Sequence, residues 1–344
     1  MAPADLLTRS IDTLADRRDL SREEAAGVLS VIMQGEASEV QTAAFLIALR
    51  TKGETIAELA GLAQTMRAFA TAVPISGEGL LDTAGTGGGR RTFNVSTTAA
   101  LIAAAAGCPV AKHGNRSATG LSGSADLLEA LGVRIDLDPR AVALCIEEVG
   151  FGFMFAPAHH QATRHVVHVR RALAVRTTFN FLGPLTNPAG AAHQLIGVSD
   201  PDYLTTMAGA LALLGTGHAL LVSSLDGLDE LSISDATRVI ELVDGDVREY
   251  IVTPEEVGLE RHPQDAVPSG DPDANAATTR DILAGAPGAA RDMALLNAGA
   301  AILAAGRAQS LLAGVQAAAE AVESGAAAAK LQALVARTRE LAAS

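Results

Sequence analysis

The chain has 344 residues, 49% of them hydrophobic and 19% charged, with a formal net charge of −13. That composition suits a globular protein with a large core, in two domains or in one large domain with a small satellite. It excludes a basic surface built to bind nucleic acid, and no apolar run reaches the roughly 18–20 residues that span a bilayer.

The start, Met1-Ala2-Pro3-Ala4-Asp5, has neither the basic nor the apolar region of a signal peptide, so a cytoplasmic protein is expected. Cys108 and Cys145 both lie in apolar stretches, which argues against a disulfide framework or a thiolate metal site. Positive charge gathers around 90–116 and 164–176, as suits a small anionic ligand held in a cleft.

Along the chain, the first seventy or so residues read as helices opened by capping boxes: Ser21 with Glu24, Ser38 with Gln41, Thr55 with Glu58. Ala43, Ala44, Leu46, Ile47 and Leu49 supply a helical apolar face, and Gly35 and Gly53 fall where helices should stop. The pattern changes near Val73-Pro74. Strands are expected at Leu80–Thr83, Pro109–Lys112, Gly152–Phe155, Gln194–Val198 and Ala219–Ser223, with buried helices such as 97–106 and 204–214 between them. Alternating strands and helices imply an α/β fold with a mostly parallel central sheet, whose ligands bind beyond the carboxyl ends of the strands. Ile233, Val239–Leu242 and Val247–Val252 suggest an antiparallel hairpin turning at Asp244-Gly245. Residues 261–276 are the most loop-like stretch, and alanine-rich helix follows about residue 290.

Four segments carry chemistry. The first, Asp82-Thr83-Ala84-Gly85-Thr86-Gly87-Gly88-Gly89-Arg90-Arg91-Thr92-Phe93-Asn94-Val95-Ser96-Thr97-Thr98, follows a strand and leads into a helix. Glycines let backbone amides approach phosphate oxygens, and the helix start favours an anion. Alone, the glycine run is equally a tight strand-to-helix turn. Its arginines, asparagine and hydroxyls tilt it to phosphate. The second, Lys112 to Gly120 and on to Ser122, Ser124 and Asp126, offers a second anion surface at the same sheet edge, with Ser122 or Ser124 a candidate helix cap. The third is Asp226-Gly227-Leu228-Asp229-Glu230, whose adjacent carboxylates repel unless a cation joins them. Magnesium takes one or two carboxylates plus phosphate oxygens and water; a solvated acidic turn is the plain alternative. The fourth runs from Ala156-Pro157-Ala158-His159-His160 through Arg170-Arg171 to Arg176–Pro188. Its histidines lack a third ligand at zinc spacing, and an arginine there could fork onto a carboxylate.

Taken together, these ordered motifs resemble the anthranilate phosphoribosyltransferase family over nearly the whole chain, as far as Leu295-Asn297-Ala298-Gly299. The most specific parts are Lys112–Gly120, Arg176–Pro188 and Asp226–Ser232. The resemblance implies a small all-helical domain over 1–72, joined by helices near 163–188, plus a large α/β domain over 73–344. It implies that Gly85, Gly88, Gly89, Thr92, Asn94, Val95, Ser96, Thr97, Lys112, His113, Gly114, Asn115, Arg116, Ser117, Ala118, Thr119, Gly120 and Ser124 bind phosphoribosyl diphosphate. Gly85, Asn115 and Arg170 would face anthranilate, with Arg170 toward its carboxylate. Ser96, Asp229 and Glu230 would hold magnesium, two ions per subunit. His113, His159 and Gly183 would line the substrate entrance, with His113 a candidate proton acceptor. A homodimer through the helical part is implied, with no nucleic-acid or membrane partner. The implied reaction moves a phosphoribosyl group to the anthranilate amine in tryptophan biosynthesis. A pyrimidine nucleoside phosphorylase-like enzyme and a non-enzymatic nucleic-acid-binding relative are the alternatives. The sequence departs from the family pattern at one place: Gly89 stands where an Asp usually follows Gly-Thr-Gly-Gly, the loop is a residue shorter, and Arg90-Arg91 come next. Arg90 or Arg91 is therefore expected to contact the diphosphate.

Overall fold

All three capping boxes form. At Ser21 the hydroxyl accepts from the Glu24 amide at 3.1 Å and the Glu24 carboxylate accepts from the Ser21 amide at 2.9 Å. Ser38/Gln41 and Thr55/Glu58 repeat the exchange, each cap contributing about 1 kcal/mol to its helix. The computed structural model describes residues 3–117, 120–267 and 269–343. The caps start three of the four opening helices: α1 (Pro3–Ala15), α2 (Arg22–Met33), α3 (Glu39–Lys52) and α4 (Ile56–Ala68). Gly35 (φ +75°) and Gly53 (φ +90°) end α2 and α3 in a conformation costly for any residue with a Cβ. The buried Glu58 carboxylate also takes the Leu20 amide at 2.9 Å and the Lys52 ammonium at 2.9 Å, tying α4 to the chain before α2 and to the end of α3.

The strands that follow are β1 (Leu81–Gly85), β2 (Val110–Gly114), β3 (Phe151–Phe155), β4 (His193–Gly197), β5 (His218–Ser224), β6 (Thr237–Val243) and β7 (Asp246–Val252). They make one sheet in the order β3-β2-β1-β4-β5-β6-β7, parallel from β3 to β5 and antiparallel for the β6–β7 hairpin. The hairpin turns where expected, with Asp244 (φ +48°) and Gly245 (φ +95°) both left-handed. Between the strands run α5 (Val95–Ala105), α6 (Ser124–Leu131), α7 (Pro139–Val149), the short α8 (Ala156–His159), α9 (Arg164–Leu173), the short α10 (Phe179–Leu182) and α11 (Leu204–Leu213). The chain ends in α12 (Pro272–Leu283), α13 (Ala289–Ala304), α14 (Leu311–Glu323) and α15 (Ala326–Ala343). The stretch 261–276 is therefore not loop throughout. Asp271 caps α12 by accepting the Ala274 amide at 2.9 Å, and Pro272 fits its first turn.

The sheet sorts its side chains by the period-two rule. Leu220 and Val222 enter the core with α5 and α13, while Ala219 and Leu221 enter the core that includes α2, α3 and α4. One apolar core is thus continuous from the helical bundle to one face of the sheet. α5 packs against β1, β2 and α13, and residues 99–104, alanines around Leu101 and Ile102, are all buried. No helix among the described residues is long and apolar enough to cross a membrane.

The amino end of the sheet holds an electrostatic knot that predicts acid behaviour. Burial acts against the Glu241 charge, but hydrogen bonds from His218 (2.9 Å), Tyr250 (2.7 Å) and Arg248 (3.0 Å) overcome it and pull the carboxyl down to about 2. A depressed folded-state value stabilises the protein above the ordinary 4.5 and loses that contribution as pH falls through about 2. Glu241→Gln is expected to melt below wild type at pH 6, with the gap narrowing as pH drops from 4.5 toward 2; a constant gap in melting scans would refute the linkage.

Candidate functional site

β1 and β4 pair in register from Leu81–His193 to Gly85–Gly197, so two glycines end adjacent strands side by side. The turn after β5 folds back over both. A Cβ on Gly197 would lie 1.6 Å from the Asp229 carbonyl oxygen, and one on Gly85 would lie 3.1 Å from Asp229 Oδ2. The turn is fixed from within and from α13. The Leu228 amide donates to Ser224 Oγ at 2.9 Å. Asn297 accepts the Leu231 amide at 3.0 Å and returns a hydrogen bond to the Leu231 carbonyl at 2.9 Å.

The glycine loop leaves β1 with Gly87 (φ +65°) and Gly88 (φ +91°) left-handed and exposed. The Gly87 amide donates to Asp229 Oδ2 at 3.0 Å, and the Thr86 amide to the Gly197 carbonyl at 2.9 Å. Thr86 Oγ1 also accepts the Ser199 amide at 3.0 Å. Asn94 opens α5 and joins three segments: its amide group donates to the Ser122 carbonyl at 3.1 Å, while its oxygen accepts from Ser122 Oγ (2.8 Å) and Asn275 (2.9 Å). Thr92 Oγ1 bonds the neighbouring Phe93 carbonyl. Val95 and Thr97 are buried behind the loop, and the hydroxyl of Thr97 has no partner among the described residues.

Lys112 on β2 is buried beneath this loop, its ammonium bonded to the Thr83 carbonyl, to Thr83 Oγ1 at 3.0 Å and to Ser96 Oγ at 3.4 Å. Burial lowers it to about 8 against the pull of Asp82 and Glu230. Burial also raises Asp82, whose Oδ1 accepts the His113 amide at 3.1 Å. Burial and then the neighbouring Asp229 push Glu230 up to about 8, although the Ser96 amide donates to it; burial raises Asp229 as well. Two adjacent carboxyls raised in this way, with no ion pair to either among the described residues, call for a cation. Ser96, whose amide donates to Glu230, adds a hydroxyl nearby, and carboxylate and hydroxyl oxygens are donors that magnesium takes together with water and substrate oxygens. The residues fit the metal.

The second loop returns from β2 to the start of α6. A Cβ on Gly114 would meet Ser124 Oγ at 2.1 Å, and the Asn115 carbonyl accepts from the Ala125 amide (3.2 Å) and Ser124 Oγ (3.3 Å). Asp126, rather than Ser122 or Ser124, closes this helix start: its Oδ2 accepts the Gly123 amide at 2.8 Å and the Ser117 amide at 3.0 Å. Arg116 is paired with Asp126 (3.0 Å) and Glu129, so its charge is neutralised within the protein. The Gly120 amide donates to Ser117 Oγ at 2.7 Å. Ala118 and Thr119 lie outside the described residues.

On the side of the bundle, Arg170 sits with its guanidinium 5.1 Å from the Phe179 ring centre and no carboxylate partner among the described residues. Burial disfavours its charge and lowers its pKa, a cost that an incoming carboxylate would offset. Arg171 is exposed. The His113 and His160 rings lie 5.0 Å apart, and Nε2 of each is buried without a partner among the described residues. Burial, then the other histidines, holds His113 well below the usual range and takes His160 to about 4; both are neutral at pH 7. His159 Nδ1 contacts the Thr71 carbonyl at 2.8 Å. Gly183 lies beside His113, accepting from it through its backbone carbonyl.

The structure brings Gly85, Gly87, Asn94, Ser96, Lys112, Asp229 and Glu230 to one sheet edge. Of the two arginines expected at the diphosphate, Arg90 has its guanidinium engaged within the protein, Nη2 donating to Asp226 at 3.0 Å and Nη1 to the Gln264 carbonyl at 2.9 Å, while Arg91 is exposed. Sequence reasoning missed Arg176, whose Nη1 donates to the Gly87 carbonyl at 2.8 Å and whose Nη2 reaches Ser199 Oγ at 3.2 Å. It also missed Asn275. Arg176 opens a motif and could have been singled out; Asn275 lies where periodicity gave no signal.

Comparison with known proteins agrees along the chain. Residues 8–70 match the helical bundle domain of the glycosyl transferase family, and residues 77–328 match that family's a/b domain. The anthranilate phosphoribosyltransferase of Rubrobacter xylanophilus is 50% identical over 98% of this chain and 99% of its own. That of Symbiobacterium thermophilum is 51% identical over 89% of this chain and 90% of its own. Among solved structures, the anthranilate phosphoribosyltransferase of Thermus thermophilus superposes with a TM-score of 0.90 at 46% identity, over 96% of this chain and 99% of that one. The Saccharomyces cerevisiae enzyme in complex with PRPP and Mg gives 0.88 at 28% identity, over 98% and 99%.

Proposed function

Since the chain belongs to the anthranilate phosphoribosyltransferase family, we propose that it transfers the phosphoribosyl group of 5-phosphoribosyl 1-diphosphate to the anthranilate amine, giving N-(5-phosphoribosyl)anthranilate and diphosphate in tryptophan biosynthesis. The observation that carries this reading is the meeting of the Gly85–Gly88 backbone with the raised Asp229 and Glu230 carboxyls, in no ion pair among the described residues, at one sheet edge. A glycine loop alone binds an anion; beside two carboxylates that need a cation, it suits a metal-bound diphosphate.

The anthranilate amine is a weak nucleophile, so departure of the diphosphate limits the reaction. Backbone amides of the glycine loop and the second loop that are not engaged within the protein would stabilise charge growing on the diphosphate. Magnesium, two ions per subunit, held by Asp229, Glu230 and Ser96, supplies electrostatic stabilisation of that leaving group when bound. Arg170 holds the anthranilate carboxylate and Asn115 orients the ring, placing the amine for attack on C1 of the ribose. As the new C–N bond forms and the C–O bond to diphosphate breaks, the amine must lose a proton. His113 is neutral with a bare Nε2 and so can accept it. His159 and Gly183 border the acceptor side. The small helical domain over 1–72, joined by the helices near 163–188, closes on the α/β domain over 73–344 to exclude water. The protein works in the cytoplasm as a homodimer.

The test is fluorescence-monitored consumption of anthranilate with phosphoribosyl diphosphate, with and without magnesium. No consumption with magnesium present would reject the reading. Arg170→Ala is expected to raise the anthranilate KM by about 10–100-fold, the worth of a charge-assisted hydrogen-bonded pair, with the KM for phosphoribosyl diphosphate unchanged. Equal rises in both constants would remove Arg170 from the acceptor site.

A further inference from the structure

At Gly89 and Arg90, where the chain departs from the family pattern, both residues meet the acidic turn. A Cβ on Gly89 would lie 2.6 Å from Asp229 Oδ1 and 2.9 Å from the Asp229 amide nitrogen, so bare backbone passes against the carboxylate. One residue on, the Arg90 amide donates to the Gly227 carbonyl at 2.9 Å. The Arg90 side chain then reaches Asp226 and, on its other terminal nitrogen, the Gln264 carbonyl. The Asp226 side chain is completely inaccessible, that of Arg90 only 25% exposed, and Arg90 Nε is buried without a partner among the described residues. Asp226 also accepts from Ser224 Oγ and, at 2.9 Å, from Ser232 Oγ. Arg90 is its only ion-pair partner among the described residues.

We propose that Arg90 is a positioning residue for the magnesium carboxylates: its ion pair with Asp226 clamps the turn 226–230 onto the glycine loop and sets where Asp229 and Glu230 stand relative to the diphosphate. Three links join loop and turn, namely Gly87 to Asp229, the Arg90 amide to Gly227, and the Arg90 guanidinium to Asp226. Only the last carries opposite charges. Gly227 (φ +86°) makes the bend between Asp226 and Asp229, and Arg90 grips it on both sides, through the Asp226 carboxylate and the Gly227 carbonyl. Deleting Arg90 would leave a fully buried carboxylate with hydroxyl partners only among the described residues, and such a charge forces local rearrangement. A direct grip on the diphosphate is disfavoured because both terminal nitrogens are engaged and Nε is enclosed. The anchor at Gln264 extends the clamp toward α12, whose Asn275 holds Asn94 at 2.9 Å.

The inference rests on the proposed magnesium-dependent transfer, and Mn²⁺ serves as the probe. Mn²⁺ binding is titrated by electron paramagnetic resonance on the protein with phosphoribosyl diphosphate and no anthranilate, so that no turnover occurs. Arg90→Ala and Asp226→Asn are each expected to weaken Mn²⁺ binding about 10-fold, and the double variant no more than either alone, because both break one link. The rate should recover largely as magnesium is raised, and Arg90→Lys should fall between wild type and Arg90→Ala. Because Arg90→Ala could fail to fold, Arg90→Lys and Asp226→Asn carry the comparison by themselves. A raised KM for phosphoribosyl diphosphate at every magnesium level in the Arg90 variants but not in Asp226→Asn would overturn the proposal in favour of direct contact. Additive losses, or unchanged Mn²⁺ binding in variants of an active wild type, would overturn it too. A wild type that neither binds Mn²⁺ nor consumes anthranilate would overturn the functional reading along with it.

Discussion

Replacing Asp229 and Glu230 together by alanine is expected to lower kcat/KM at ordinary magnesium by about a thousandfold, the equivalent of roughly 4 kcal/mol of transition-state stabilisation. The two carboxyls are in no ion pair among the described residues; Arg176 and Lys112 act on them only from farther away, and burial outweighs that pull. Burial raises both, and Asp229 raises Glu230 further. Keeping them side by side therefore costs stability, so their removal should leave the melting temperature unchanged or higher. Loss of rate without loss of fold is the signature of a metal site. Asp229→Asn separates charge from geometry, because an amide oxygen can still accept the Gly87 N–H at 3.0 Å. It should retain the loop conformation yet lose most of the magnesium response. Initial rates over a magnesium titration decide the matter; a near-normal rate in the double variant would exclude the metal role.

Much of this was legible in the sequence because local chemistry agreed with the global fold. Ser21-Glu24, Ser38-Gln41 and Thr55-Glu58 announce helix starts whatever lies around them, and all three form. The strand β5 reads as apolar on both faces because helices cover both. Asp244-Gly245 permits only a tight turn. What escaped depends on distance in the chain. Asn275 reaches Asn94 across 181 positions, and nothing near residue 275 signals it. Arg90 and Arg91 look alike in sequence. Only the fold places Asp226, 136 positions away, against one of them. The serines before α6 suggested a cap, but Asp126 had the longer reach and took the Gly123 and Ser117 amides together.

The same logic gives Gly197 an importance that no motif reveals. Its φ is not left-handed, so alanine fits its backbone, and the obstacle is space alone. A Cβ there would stand 1.6 Å from the Asp229 carbonyl oxygen and 2.6 Å from its carbonyl carbon. Backbone cannot yield as a side-chain tip does, so the acidic turn must lift from the ends of β1 and β4. The Thr86 amide bonds the Gly197 carbonyl at 2.9 Å, so the glycine loop is held from the same residue. Gly197→Ala is expected to fold, as judged by circular dichroism, yet lose about a hundredfold or more in turnover, the scale of a 1 Å misplacement of catalytic groups. Half-saturating magnesium should rise with it. Gly217→Ala is the control: it precedes β5 at the opposite end of the sheet, where a Cβ would meet its nearest neighbour, the Ala192 carbonyl oxygen, at an ordinary 3.6 Å. Equal activity in the two variants would show that the turn does not need its seat over Gly197, and a lost fold in Gly197→Ala alone would make that seat structural rather than catalytic.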